Sequence, residues 1–401
     1  MATNFWVGIA PLQRNTLLFT CSAPTLGATR YVEFNGRRVT VIATDTSAST
    51  LATQFYEAIR TSTDAYVKDG TPSVDGATFT VVGPADGAPL TSPAVSTGVT
   101  LTTNTAGTGP YHADNVLNYS SGALPGNGDT LIFLYGQAGT GPRYGLSALT
   151  AVTLALLKVL DSYLGNIGLP RNRGAYIEHR PRYLESKGDE FEIYSRNADN
   201  DERFKILATK AGATVWILSG GGSSGANGVP VELSGLLSTS TVSAVNTGVS
   251  ISPEAAAVST LTTIVATNAN VLLSTGVTLS TGITMTGGQL TTAVDVKAAV
   301  LKNVQCFFNE DADGSPISLS GGALTWKSSQ ASGTISLFDN AVLDFSQAPA
   351  VLTPAAAFVM SSGTKLIDGG RLAAGYTVTP QGCAVQDLLL DLPVGRGVTT
   401  V

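Results

Sequence analysis

Ser274-Thr275-Gly276-Val277-Thr278-Leu279-Ser280 repeats, with conservative changes, the earlier Asn246-Thr247-Gly248-Val249-Ser250-Ile251-Ser252. A third copy stands upstream as Ser96-Thr97-Gly98-Val99-Thr100-Leu101-Thr102. The two downstream copies lie between Lys210 and Asp295, where Glu232 and Glu254 are the only charged side chains. In the same tract Val215-Trp216-Ile217-Leu218, Ile264-Val265, Val271-Leu272-Leu273 and Ile283-Thr284-Met285 read as short strands between glycine or polar corners. From Thr275 to Thr286 the pattern returns at a spacing of about six, within the range of hexapeptide solenoids. A single unit of this kind cannot bury its apolar face alone, whereas stacked units bury a continuous core. The fold class expected is mainly β: a right-handed parallel β-helix or β-solenoid, with a small N-terminal α/β domain of ββαβ order.

Upstream of the tract the pattern changes. Tyr31-Val32-Glu33-Phe34 and Val39-Thr40-Val41-Ile42 flank Asn35-Gly36, the turn pair of a tight hairpin. Ser47 or Ser49 caps a helix that places Leu51, Phe55 and Ile59 on one face. Thr71-Pro72-Ser73 interrupts, Ala77 to Val82 returns as a strand, and Val99-Thr100-Leu101 completes a two-layer unit. The division expected is an N-terminal arm over 1–22, the small domain over 23–105, the solenoid over 106–380, and a C-terminal cap and tail over 381–401. Leu146 to Leu160 fits a helix through Leu146, Leu149, Val152 and Leu156, or strands through Val152-Thr153-Leu154 and Leu157-Lys158-Val159; its flanks favour strands. More strands are expected at Gln305–Phe308, Ala323–Trp326, Gly333–Leu337, Ala341–Phe345 and Phe358–Met360. The open ends of a solenoid need covering, and the aromatic N-terminal part and the leucine-rich Asp387–Pro393 are the natural caps.

The segment Tyr111-His112-Ala113-Asp114-Asn115-Val116-Leu117-Asn118-Tyr119-Ser120-Ser121-Gly122-Ala123-Leu124-Pro125-Gly126-Asn127-Gly128-Asp129-Thr130-Leu131-Ile132-Phe133 resembles the first-coil phrase of autotransporter-like and phage-encoded β-helices. Those proteins usually carry Trp where Tyr119 stands. Ile167-Gly168-Leu169-Pro170 and Tyr176 to Leu184 resemble continuations in phage and prophage structural proteins. The resemblance implies a β-helix and a virion setting, and it brings no catalytic residue with it.

Composition excludes several function classes. Charged residues are 13% of the chain, about half the ~25% usual in soluble domains, and the net charge is −6. No Lys/Arg cluster is interleaved with aromatics, so a nucleic-acid partner is not expected. Mean hydropathy is +0.20, but no apolar run reaches the ~18 residues of a membrane span. Met1 to Ala10 has neither a basic n-region nor a clean apolar h-region, so a secretory leader is not expected. Cys21, Cys306 and Cys383 are odd in number and widely spaced, which suits buried thiols rather than a metal site or a disulfide framework.

Candidate sites are few. Asn309, Asp311 and Asp313, followed by Gly314, resemble the first half of a calcium loop, but Ser320 stands where the bidentate Glu belongs. Calcium is the one cofactor this suggests; a solvated acidic turn explains the same residues. The glycine-rich Gly136–Arg143 and Gly220–Gly225 lack the Gly-Lys-Ser/Thr of a phosphate loop and read as corners. Asp199, Asp201 and Glu202 supply carboxylates for a glycosidase, which needs two held about 5 to 10 Å apart. The mixed-sign stretch with Arg171, Arg173, Arg180, Arg182, Glu185, Asp189 and Glu190 reads better as a subunit contact, where charge sets register. His112 and His179 lie far apart, with no partner in motif spacing, and read as structural or surface residues.

Three functions follow, in order of fit. The first is a non-enzymatic β-helical surface component of a bacteriophage virion, homotrimeric, either a head decoration or fibre or a tail-associated fibre. Its partners would be other virion proteins and possible host-surface glycans. The second is a polysaccharide-cleaving tailspike. The third is a secreted bacterial adhesin.

Overall fold

The computed structural model describes residues 2–91, 94–134, 141–172, 178–195, 203–210, 212, 214–220, 229–235, 240–253, 259–310, 312–395 and 397–400. Strand accounts for 50% and helix for 6%, arranged as a parallel β-solenoid of about 11 turns with a small N-terminal domain.

Parallel pairing puts chemically similar residues on top of one another. Inward, Phe191, Trp216, Val242, Ile264, Ile283, Ala299, Ile317, Ile335, Phe358 and Val378 form one column in continuous register. A second runs Phe204, Val231, Val249, Val271, Leu290, Cys306, Leu324, Leu343, Leu366 and Leu390 on the other ladder side. Side chains alternate along a strand, so the residues between these columns face outward. On the first side they are Ile217, Ser243, Val265, Thr284, Val300, Ser318, Ser336, Val359 and Thr379. Beside them run Ser219, Val245, Thr267, Thr286, Lys302, Ser320 and Phe338. Nearly all inward residues belong to one cluster that extends from Trp6 to Leu388. Aromatic rings meet from coil to coil inside it: Phe191 on Trp216 at 3.9 Å and Phe308 on Trp326 at 5.1 Å. Trp326, Phe345, Phe358 and Tyr376 continue the contacts at 5.7 to 5.9 Å.

The two sides meet at a corner of left-handed backbone. Asn246, Asn268, Gly287, Asn303, Gly321, Asn340 and Gly363 occupy it in successive coils, with φ between 47° and 76°. Asparagine and glycine are the residues that tolerate this region. Their alternation has a steric cause. A Cβ on Gly287, Gly321 or Gly363 would run into Oδ1 of Asn268, Asn303 or Asn340, respectively, in the neighbouring coil. One such residue turns the chain without ending the ladder, so Ser259–Leu273, Val277–Thr292, Ala299–Glu310 and Ile317–Ser328 run through the bend. The short strands expected from sequence are therefore fused into strands of 12 to 16 residues here.

The repeated heptad phrase plays another part. Val249 stacks on Val271, whereas Val277 stacks on Ser259, so the two downstream copies sit at different places on the coil. The copy at Ser96–Thr102 enters Val99–Thr105, an antiparallel strand of the small domain. Coil length varies, and in the longest coil the extra chain lies on the second ladder side, between Ile167, which stacks on Phe204, and Leu184, which stacks on Ile206. Ile283 stacks on Ala299, sixteen residues on, while Leu156 stacks on Glu190, thirty-four residues on. Leu149–Val159 is a strand, as its flanks implied.

The N-terminal arm divides. Thr3–Phe5 pairs in parallel with Thr130–Phe133 and forms the first rung of the solenoid. Trp6, 4% exposed, closes the core against Tyr119 at 5.4 Å and Phe133 at 5.9 Å. Ser120 bonds to both N and O of Phe5, which covers part of the outer edge of that rung. Thr16–Cys21, by contrast, lies inside the small domain's four-stranded sheet, beside Thr78–Val82 and Val99–Thr105. Thr71–Asp75, read from sequence as an interruption, is its edge strand, where the missing N–H of Pro72 is tolerated. Asn35 (φ 53°) and Gly36 (φ 73°) make the predicted hairpin turn, and Ser47 caps the helix Ala48–Arg60 through Thr50 N. That helix buries Leu51, Ala52, Phe55 and Ile59 in the domain's own core. The small domain is thus inserted between the first rung and the first full coil.

Candidate functional site at the domain junction

Charged residues gather where the small domain meets the first coils. Ile167 bridges to Phe204, Lys205 N donates to Ile167 O, and Leu169 N donates to Arg182 O, which holds 167–172 and 178–183 against Phe204–Ala208. This buries two outward side chains in register with each other, Lys205 and Glu232, at 2% and 0% exposure. The Glu232 carboxylate pairs with Arg171 and accepts a hydrogen bond from Tyr183 Oη at 3.1 Å.

Glu178 is the organising acid. Its Oε1 accepts from the backbone N–H of His179 (3.0 Å) and Arg180 (2.9 Å) and from Arg180 Nε (2.7 Å), while Arg180 Nη2 lies 3.2 Å from its Oε2. Across the junction Arg180 Nη2 reaches within 3.2 Å of Asp69 Oδ2, in the small domain, and His179 Nε2 within 3.8 Å. The imidazole of His179 packs on Tyr66 at 5.0 Å, and the Arg180 guanidinium sits 5.4 Å over Tyr144. Tyr144 Oη donates to Asp86 Oδ2 at 2.6 Å. His112 Nε2 meets Gly87 O at 2.8 Å, and its Nδ1 lies 3.3 Å from Asp114 Oδ1. Ala88, Tyr144 and Leu169, with Tyr111, form a small apolar cluster alongside. A cleft of about 500 Å³ remains, lined by Asp69, Asp86, Arg143, Tyr144, Glu178, Arg180 and Lys205 among others.

Burial sets the protonation preferences. Desolvation raises the Asp69 carboxyl above the ordinary carboxylate range, although Arg180 and His179 pull it back. Desolvation and the neighbouring Arg180 lower His179, against the opposing pull of Asp69 and Glu178. Desolvation works against the Arg180 cation, but the Glu178 hydrogen bonds and the charges of Glu178 and Asp69 outweigh it. The hydrogen bond from His112 lowers Asp114.

Balanced charge of this kind positions one body on another. The residues expected at a subunit contact distribute as follows. Arg180 and Arg171 are engaged within the chain, Arg180 between the two domains and Arg171 over Glu232. Arg182 lies 5.6 Å from the Tyr183 ring, and Asp189, exposed, pairs with Lys210. Glu185 and Glu190 stand half-buried in the strand Leu184–Ser195. Arg173, Asp311, Asp199, Asp201 and Glu202, and most of both glycine-rich loops, lie outside the described residues.

Asn309 is the last residue but one of the strand Ala299–Glu310 and its carbonyl accepts from Ala312 N at 2.9 Å; the Asp313 carboxylate accepts from Gly314 N at 2.6 Å. Ser320 sits in the next coil's strand and bonds Asp339, so the twelve-residue calcium window spans a corner and a rung. Among the described residues no three His, Cys, Asp or Glu side chains form a metal-holding group. No described helix is long and apolar enough to cross a membrane.

Sequence inspection found Arg180 but missed its partners Asp69 and Tyr144 and the Asp86 behind Tyr144, and read His179 only as a structural or surface residue. No local signal connects residues so far apart in the chain. No family model, no characterised protein and no solved structure matches this chain.

Proposed function

We propose that this protein is a non-enzymatic structural component of a bacteriophage particle: a homotrimeric β-helical surface protein, serving as a head decoration or fibre, or as a tail-associated fibre. The observation that carries the reading is the continuous parallel ladder of about 11 turns, sealed at one end by Trp6, with a compact domain fastened beside that end. At ~4.8 Å per rung the shaft is about 50 Å long, and its backbone hydrogen bonds run along the axis. Such a stack unfolds cooperatively and slowly, which suits a particle exposed to its surroundings. The first-coil phrase at Tyr111–Phe133 adds support through its resemblance to phage-encoded β-helices. In this reading the small domain attaches to the particle and the solenoid projects from it, where it meets other virion proteins or a host-surface glycan.

The test is proteomic and enzymatic together. Purified particles from a host carrying the gene are expected to contain the peptide at a fixed copy number, removable only with the particle's own components. The purified chain is expected to leave host capsule and lipopolysaccharide uncut. Cleavage of a host glycan would replace the reading with a depolymerising tailspike. Recovery from the surface of uninfected cells, with none in particles, would replace it with an adhesin.

A further inference from the structure

The outward side of the first ladder carries almost no charge. Over the nine rows from Ile217 to Thr379 and the column beside them, Lys302 is the one charged side chain. The other ladder side presents Lys327, Asp344, Lys365 and Asp391 over its later coils. Towards the N-terminal end the first side too becomes charged, with Lys158 paired to Glu192 in the same outer column. The uncharged rows are also open. Val215, Val245, Val265 and Val300 are 40 to 55% exposed, on strands whose other outward residues are mostly threonine and serine.

We infer that this face is where copies of the chain pack side by side, with their solenoid axes aligned. The inference rests on the homo-oligomeric part of the proposed function and names the surface responsible. Three physical points favour a second copy as the occupant. Around a symmetry axis the same face of each copy is presented, so a charge repeated coil after coil would meet its own likeness; an uncharged face avoids that. Short Val, Thr and Ser side chains on a ladder of fixed register make a flat surface, which lets sheets approach to ~10 Å. Eight steps of ~4.8 Å by a strand width of ~15 Å give a footprint of about 600 Å² per copy, close to the ~800 Å² per partner of a standard interface. The hydroxyls on this face remain able to bond across it.

Sedimentation equilibrium and native mass spectrometry of the full chain test this. The wild type is expected at three times 41.1 kDa. Val265→Glu with Val300→Glu places unpaired carboxylates in the contact at positions already open to solvent. That variant is expected to keep its β-sheet circular dichroism while its association weakens on the order of 100-fold or more, leaving 41.1 kDa monomer. Gln289→Glu with Gln305→Glu, on the other ladder side, is expected to leave the oligomer intact. A Val265→Glu, Val300→Glu chain that stays oligomeric overturns the assignment of the face while leaving the oligomer standing. A wild type that is monomeric at every concentration overturns both. Should the double variant misfold, Val265→Cys in a Cys383→Ser chain with a short bismaleimide is decisive: cross-linked multimers not formed by Cys383→Ser alone support the face, and their absence in an oligomeric sample refutes it.

Discussion

Adding one methyl group at Gly322 tests whether the corner of the coil is set by close approach or by backbone conformation alone. Gly322 (φ 75°) follows Gly321 (φ 66°), and a Cβ on it would collide with the backbone O of Val304 and lie 2.6 Å from its N. Neither atom can rotate away, so the rungs must separate. At Gly321 the obstacle is Asn303 Oδ1, the end of a side chain that can turn aside. Gly375 (φ 83°) has nothing within 4 Å and isolates the conformational cost. An L-residue in the left-handed region costs ~1–2 kcal/mol, and alanine recovers ~0.4–1 kcal/mol by restricting the unfolded chain. Gly375→Ala should therefore cost about 0.5–1 kcal/mol. Gly321→Ala should cost about 1–2 kcal/mol, with a small steric addition. Gly322→Ala adds overpacking of ~1–3 kcal/mol against fixed backbone, for about 1.5–4 kcal/mol in all. Equilibrium urea unfolding reads these differences through Trp326, which is fully buried on the same strand as Gly321 and Gly322. All chains must be compared at one protein concentration, because association shifts the midpoint. A Gly322→Ala chain within ~0.5 kcal/mol of Gly375→Ala would refute the claim that adjacent rungs meet at this corner.

Other outcomes follow from the core and the junction. Trp326→Ala removes a ring stacked on Phe308 and touching Phe345, and should destabilise the solenoid by ~3–5 kcal/mol in urea unfolding followed by far-ultraviolet circular dichroism, with loss of near-ultraviolet dichroism. Thiol titration of the native chain should find one fast cysteine, half-buried Cys383, because burial pushes Cys21 up to about 11 and Cys306 to about 12; labelling of Cys306 without unfolding would contradict the packing. Burial holds His179 below its ordinary 6.5, so the folded chain binds that proton later than the unfolded one. Its stabilising effect is present above pH 6.5 and is lost as pH falls through that value. The raised Asp69 works with the opposite sign, resisting ionisation, and its contribution fades as pH rises from 3.8 through its folded value. The melting midpoint should thus drop between pH 7.5 and 5.5, and His179→Asn should flatten that slope; an unchanged slope would remove His179 from the junction's energetics.

Much of the architecture was legible because a solenoid writes its burial pattern directly into sequence. Val271–Leu273, Ile283–Met285 and Phe358–Met360 alternate at strand spacing, and all lie in the ladder. The hairpin at Asn35-Gly36 and the helix through Leu51, Phe55 and Ile59 carry local turn and capping signals that tertiary context did not override. The corner was harder to see. Asn and Gly exchange there for one shared backbone property, so Thr267-Asn268-Ala269, Thr286-Gly287-Gly288 and Lys302-Asn303-Val304 do not look like one motif. The more visible heptad phrase marked the solenoid tract without being its structural repeat. The first rung was hidden because Phe5 finds its partner Ile132 across the whole inserted domain. The junction was opaque for the same reason: Asp69, Asp86, Tyr144 and Arg180 come together only after both bodies have formed.

The uneven length of the coils gives the molecule a division of labour. Its ladder columns stay in register whether a turn takes sixteen residues or thirty-four. Extra chain leaves the axis sideways and returns to the same rung, so additions there widen the outline without lengthening the shaft or moving the coils above and below. Mutational change in those excursions is thereby insulated from the rungs that hold the rod together. A lineage of such proteins can exchange these excursions one turn at a time, while the rod keeps its length and the sealed end keeps its seat.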